Sequence, residues 1–178
     1  MHPPSPEVCR ALLDTYAVPG HIRRHSEEVA RLARDLAEGL RRFAGEELDA
    51  ALVEAGGLLH DIAKATCLDS RSDHAREGGR LLRGLGYEEV AALVERHVAI
   101  GAWNAEAAVT EAEVLNYSDK RVRHEEVVTL AERFEDLLAR YGGTNGEARA
   151  RIRHNWRVTA DLEKKIFRRL PFGPEDLR

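Results

Sequence analysis

Cysteine is scarce: Cys9 and Cys67 are the only two in 178 residues. That is too few for a disulfide framework, and the pair lacks the CxxC spacing of thiolate metal sites. Both read as small filler residues, and a reducing cytoplasm is the expected compartment. No apolar run approaches the ~20 residues needed to cross a bilayer. The start, MHPPSPEVCR, has no apolar signal core. Positive charge is not in excess either, with 27 Lys and Arg against 31 Asp and Glu, a formal net charge of −4. A global basic field for nucleic acid or anionic membrane is therefore excluded, and any phosphate ligand must be held by local cations. Strand-type alternation of useful length, internal repeats and low-complexity tracts are also missing.

What is present is helical periodicity almost throughout. HSEEVARLARDLAEGLRRF places Val29, Leu32, Ala33, Leu36, Leu40 and Phe43 on one face. Leu48, Ala51, Leu52, Ala55, Leu58, Leu59 and Ile62 mark a second helix, which is expected to run through His60 and Asp61. HAREGGRLLRGLGY gives a shorter helix stopped near Gly84 and Gly86. YEEVAALVERHVA, TEAEVLNYSDKRV and HEEVVTLAERFEDLLARYGG each give one more, and a charged segment from about Glu147 to Leu170 ends at Pro171. The expected fold is all-α, a compact helical bundle with short loops and an additional C-terminal helical segment. Residues 1–17 are expected as an extension that packs on or frays from the domain. Residues 18–141 form the domain itself, and residues 142–178 a helical extension of the same globule.

LLHDIAKA sets two polar residues inside an apolar run, where a bare carboxylate is costly unless paired or bound to a metal. Adjacent residues on a helix diverge by ~100°, so His60 and Asp61 share an ion only if it sits between helices. His25, His74, His97 and Asp119 occupy positions that can also point inward. Four His and two Asp on separate helical segments suit a pair of divalent transition ions, with imidazole as a borderline ligand and a carboxylate able to bridge. Each residue taken singly has a plainer role: His97 as a core histidine, Asp119 as a cap, His74 as an ordinary helix-start residue. By spacing alone His21 and His25 are also a ligand pair, although Pro19-Gly20 puts His21 at the helix start. His2, His124 and His154 lie in polar surroundings and read as surface residues.

The order His25, His60-Asp61, Asp119, with HDIAK in the second element, resembles the HD-domain superfamily of metal-dependent phosphohydrolases over roughly residues 18 to 140. HSEEVARLA is similar to its first-ligand helix, LLHDIAKA to its HDIGK variant with Ala63 for Gly, and LNYSDKR to its last-ligand helix. The resemblance favours His25 over His21. It implies one metal on His25, His60, Asp61 and Asp119, and a second on Asp61, His74 and His97, with Asp61 as the bridge. The ions would be two divalent transition metals among Fe, Mn, Co, Ni and Zn. Symmetrical diadenosine-tetraphosphate hydrolases share this ligand order, whereas the HHE…GYP stretch of the cyclic-dinucleotide phosphodiesterases is missing after His97.

The reaction expected from the resemblance is hydrolysis of a nucleotide or related phosphate ester or anhydride by a metal-activated water. Asp61 and Lys64 are the expected catalytic residues. Lys64, Lys120, Arg71 and Arg76 are candidate phosphate-binding cations, and Arg121 and Arg123 also follow Asp119. Trp103 is either a base-stacking platform or a plug at the core edge. Asp69, Ser70, Arg71, Ser72 and Asp73 form a polar approach to His74. Ile152, Trp156, Thr159, Leu162, Ile166 and Leu170 make a stripe that closes the bundle or forms a homodimer surface. The alternatives are a non-hydrolytic nucleotide- or partner-binding module, and a di-iron oxygenase built on the same ligands.

Overall fold

A computed structural model describes residues 2–70, 72–143 and 146–177, with the side chains of residues 68–70 set aside. Arg71 and the side chains of Asp69 and Ser70 lie outside the described residues. The central rod is α2 (Gly20–Ala44), which buries Val29, Leu32, Ala33, Leu36 and Leu40 along one stripe. Phe43, expected on that stripe, is half exposed beneath Arg42. The rod ends at Gly45, whose φ of 66° is the left-handed cap that favours glycine.

Around the rod stand α1 (Pro6–Thr15), α3 (Ala50–Leu59), α4 (Lys64–Ser70), α5 (His74–Gly84), α6 (Glu88–Arg96), α7 (Glu111–Arg121), α8 (Leu130–Tyr141) and α9 (Gly146–Phe167). The fold is all-α apart from a small antiparallel hairpin of β1 (Val122–Arg123) and β2 (Glu126–Val127). Asp49 caps α3 and Asp73 caps α5 through side-chain acceptors. Thr110 with Glu113, and Thr129 with Glu132, form capping boxes on α7 and α8. None of the described helices is long and apolar enough to cross a membrane.

Two apolar clusters meet along α3. One gathers Leu32, Leu36, Val53, Leu115, Tyr117, Phe134, Leu162 and Ile166; the other gathers Cys9, Leu13, Leu58, Leu59, Ile62, Leu82, Val90 and Val94. Residues 1–17 include a true helix, with Cys9 and Leu13 buried in the second cluster. The α9 stripe closes the bundle: Thr159, Leu162 and Ile166 are buried, and Trp156 stacks on Phe134 with ring centroids 5.6 Å apart. Lys165 of α9 and Glu113 of α7 form a fully buried ion pair at 2.7 Å. Trp103 packs on this core with the Lys165 ammonium 5.8 Å from its ring centroid, so the structure makes it the plug.

Two expected helices are cut short. The helix through His60 and Asp61 stops at Leu59, because His60 Nδ1 takes the Gly57 carbonyl at 2.7 Å. That carbonyl would otherwise accept from the Asp61 N–H. Tight turns follow, with Ile62 N–H bonded to Leu59 O and Lys64 N–H to Asp61 O. The helix expected from His124 begins only at Leu130. The preceding residues form the hairpin, whose turn needs His124 at a φ of 58°.

Close approach of α2 and α3 brings His25 toward His60. A Cβ built on Gly57 would lie 2.5 Å from the Ala30 Cα, a backbone atom that cannot step aside. Gly57→Ala should therefore destabilise the fold by about 1–3 kcal/mol and weaken metal binding as the two helices part. Thermal unfolding with and without added metal checks this; a variant with unchanged Tm would contradict the packing argument.

Candidate metal centre

Six side chains from five segments converge at the seam of the two apolar clusters. His25 comes from α2, His60 and Asp61 from the turn after α3, His74 from the first residue of α5, His97 from the end of α6 and Asp119 from α7. His25, His60, Asp61, His97 and Asp119 are all buried, while His74 is partly open. His21, by contrast, is exposed, as are the side chains of His2, His124 and His154.

Backbone carbonyls set the direction of three imidazoles. Nδ1–H of His25 donates to His124 O at 2.9 Å, that of His60 to Gly57 O at 2.7 Å, and that of His97 to Val94 O at 2.6 Å. A carbonyl only accepts, so Nδ1 carries the hydrogen and Nε2 is left with a lone pair facing the centre. His60 and His97 use one device: each stands at a helix C-terminus and bonds the carbonyl three residues back. The early helix end also answers the adjacency problem, since His60 Nε2 and Asp61 Oδ2 come within 3.4 Å.

The Nε2 atoms meet acceptors, not donors. His25 Nε2 lies 3.1 Å from Asp119 Oδ1, and His60 Nε2 lies 3.7 Å from the same oxygen. His74 Nε2 and His97 Nε2 lie 3.3 and 3.6 Å from Asp61 Oδ1, and 3.2 Å from each other. His60 Nε2 and Asp61 Oδ1 are buried with no hydrogen-bond partner. Lone pairs and carboxylate oxygens gathered at such separations are suited to hold a cation. Donor atoms sharing one ion at ~2.0–2.2 Å stand about 3–3.5 Å apart, which these distances fit. Two buried triads, His25–His60–Asp119 and His60–Asp61–His97, could each hold a metal ion.

Burial pushes the His25 and His97 imidazoles below the usual histidine value, and the neighbouring carboxylates only partly restore it. At His60 burial acts the same way, but Asp61 and Asp119 outweigh it and the net shift is upward. Burial opposes ionisation of Asp61 and Asp119. His60 and Lys64 overcome it for the first, Lys120 and His25 for the second, and both stay well below the ordinary carboxylate range.

The expected cations divide into three kinds. Lys64 Nζ bonds Asp61 Oδ2 at 2.6 Å while a third of its side chain stays exposed. Burial would lower its pKa, yet Asp61 and Asp119 raise it on balance, so it remains charged at the edge of the centre. Lys120 is buried and spends its ammonium on Asp119 Oδ2 at 2.5 Å and His97 O at 3.0 Å. With Asn116, which donates to His97 O at 2.9 Å, it caps α6 from α7. Arg121 is consumed by Val128 O, Tyr117, Glu163 and Pro174 O. Arg76 is exposed, and two residues along a helix from His74 it points to a different face. The structure therefore brings Lys64 and Lys120 to the centre, but neither Arg76 nor Trp103.

Several contributors were not read from the sequence. The carbonyls of Gly57, Val94 and His124 carry no residue signal. Asn116 is one turn before Asp119 on α7. Arg133 of α8 places NH2 4.0 Å from Asp119 Oδ1. Its signal was available: it shares the inward stripe of Leu130, Phe134 and Leu137.

Residues 22–137 match the HD domain family, and the chain belongs to that family, which is in general one of metal-dependent phosphohydrolases. It is 30% identical over 139 residues to an uncharacterised protein of Methanocaldococcus jannaschii, covering 67% of this chain and 79% of that one. It is 31% identical over 129 residues to ribonuclease Y of Acidothermus cellulolyticus, and 30% identical over 156 residues to ribonuclease Y of Treponema pallidum. Those matches cover 69% and 84% of this chain but only 25% and 30% of the ribonucleases. No solved structure gives a significant match.

The titrations predict acid sensitivity of the metal-free protein. His25 and His97 have lowered folded values, so below about pH 6.5 the unfolded chain binds more protons and stability falls with pH. His60 has a raised value and opposes part of this. Asp61 and Asp119 contribute stability that is complete above about pH 4 and lost as pH falls through their lower folded values. Chelated protein should show a Tm that declines from about pH 7 to about pH 4. A Tm that rises over this interval would contradict the assignment of neutral His25 and His97.

Proposed function

We propose that the protein is a metal-dependent phosphohydrolase acting on a nucleotide or related phosphate ester or anhydride, with two divalent ions at the His/Asp centre. One observation carries the reading: the Asp61 carboxylate divides. Its Oδ2 faces His60, and its Oδ1 faces His74 and His97. A carboxylate with one oxygen on each nitrogen group is suited to bridge two ions. His25, His60, Asp61 and Asp119 would hold one ion, and Asp61, His74 and His97 the other.

Divalent ions there would lower the pKa of a water and polarise a phosphoryl oxygen. The chain's own groups prepare for that chemistry. Burial keeps His25 and His97 neutral, with Nε2 free to ligate. Lys120 holds Asp119 by its outer oxygen, leaving Oδ1 for the centre. Lys64, kept protonated, is suited to bind a phosphate oxygen and not to act as a base. Lys64, Lys120 and Arg133 stand against Asp61 and Asp119. Arg133 also meets Asp136, so these three cations are matched by three carboxylates before any metal is counted. Loaded ions would add positive charge, which suits an anionic phosphate substrate. The name ribonuclease Y among the relatives agrees with phosphoester chemistry. The formal charge of −4 supports a small phosphorylated substrate over a long nucleic acid.

Two variants test the assignment. Asp61→Ala should lose metal and turnover together while circular dichroism keeps its helical signal. His74→Ala should lower the metal content by about one ion per chain and reduce turnover about a hundredfold or more, as for loss of groups that tune a metal site. Screening should cover nucleoside phosphates, cyclic nucleotides and dinucleoside polyphosphates, with metal measured on the same samples. Full metal content and full rate in both variants would overturn the proposal.

A further inference from the structure

We propose that Arg133 of α8 is the residue that grips the phosphate of the substrate; the proposal rests on the phosphohydrolase reading above. Among the described cations around the centre, Arg133 is the one whose hydrogen-bonding capacity is least used. Lys120 gives two of its three donors to Asp119 and His97 O, and Lys64 is bonded to Asp61 at 2.6 Å. Arg121, on the far side of α7, has all three guanidinium nitrogens engaged. Arg133 has one long hydrogen bond, NH1 to Asp136 Oδ2 at 3.5 Å, and only a 4.0 Å approach of NH2 to Asp119 Oδ1.

Its side chain is only 12% exposed, and its buried Nε has no partner. A guanidinium carries five donors, and shielding it from water with so few acceptors is unfavourable. Asp136 is shared, its other oxygen accepting from Arg140 Nε at 2.9 Å. The group is therefore held beside Asp119 with donors unspent, on the inward stripe of α8. A tetrahedral dianion supplies what is missing: paired oxygens that match the planar fork of the guanidinium. Lys64 from α4 and Arg133 from α8 would then take different non-bridging oxygens of one phosphoryl group.

Inorganic phosphate is the probe, titrated by calorimetry into the metal-loaded protein, with bound metal measured on each sample. Arg133→Ala should weaken phosphate binding by roughly tenfold to a hundredfold, as for loss of a charge-assisted pair, with metal content unchanged. Arg133→Lys should keep the charge, lose the fork and fall between the two; it also serves if the alanine variant does not fold. Unchanged phosphate affinity in both variants would overturn the proposal. So would lost metal with phosphate affinity per loaded site retained, because Arg133 would then be only a support for Asp119. If the wild-type protein itself binds metal but no phosphate and cleaves no phosphate ester, the phosphohydrolase reading fails as well. The two failures are thereby distinguishable.

Discussion

Everything at the centre depends on three hydrogen bonds from imidazole Nδ1–H to backbone carbonyls. They fix the tautomer of the neutral His25, His60 and His97 rings, in which the Nε2 lone pair faces inward. Without them the rings would turn or protonate, and the gathered carboxylates would be ordinary ion-pair partners. With them the interior presents imidazole lone pairs and carboxylate oxygens that could hold a metal ion. The bond from His60 has a second effect, since it ends α3 and bends the next residue, Asp61, back toward the same point. One interaction thus shapes both the chemistry and the local chain path.

Holding the rings in place requires helices that approach closely and cannot drift. Gly57 lets α3 touch Ala30 on α2. Asn116 and Lys120 tie the end of α6 to α7. Behind α7, the buried Glu113–Lys165 pair and the Tyr117–Arg121–Glu163 group anchor the helix to α9. The C-terminal helix thereby supports Asp119 from the opposite side. Removing one partner of a buried pair costs about 3–5 kcal/mol because it strands the other charge, so loss of Glu113 or Lys165 would disturb the element that carries the last proposed ligand.

The all-α fold was legible because apolar periodicity on the long helices is strong, as with Val29, Leu32, Leu36 and Leu40. The HD pattern was legible because its residues keep a fixed order along the chain, and the structure brings all six together. What periodicity could not reveal was where helices stop for functional reasons. LLHDIAKA has no Gly or Pro to mark an end, and the break arises from a side chain competing for a backbone carbonyl. The hairpin at 122–127 was missed because a two-residue strand is too short to show alternation. Charged neighbours of ligands were also misleading: Lys120 and Arg121 adjoin Asp119 in sequence yet are spent inside the fold. Arg133, fourteen residues on, returns to it across a turn.

The central claim is that the His/Asp cluster is a metal centre spanned by Asp61. The most direct test is anomalous scattering from crystals of the protein loaded with a divalent transition metal. The account predicts two peaks about 3.5–4 Å apart, one among His25, His60 and Asp119, the other beside His74 and His97, with an Asp61 oxygen on each. No peak within the cluster, with the imidazole nitrogens of His74 and His97 still facing each other, would contradict it.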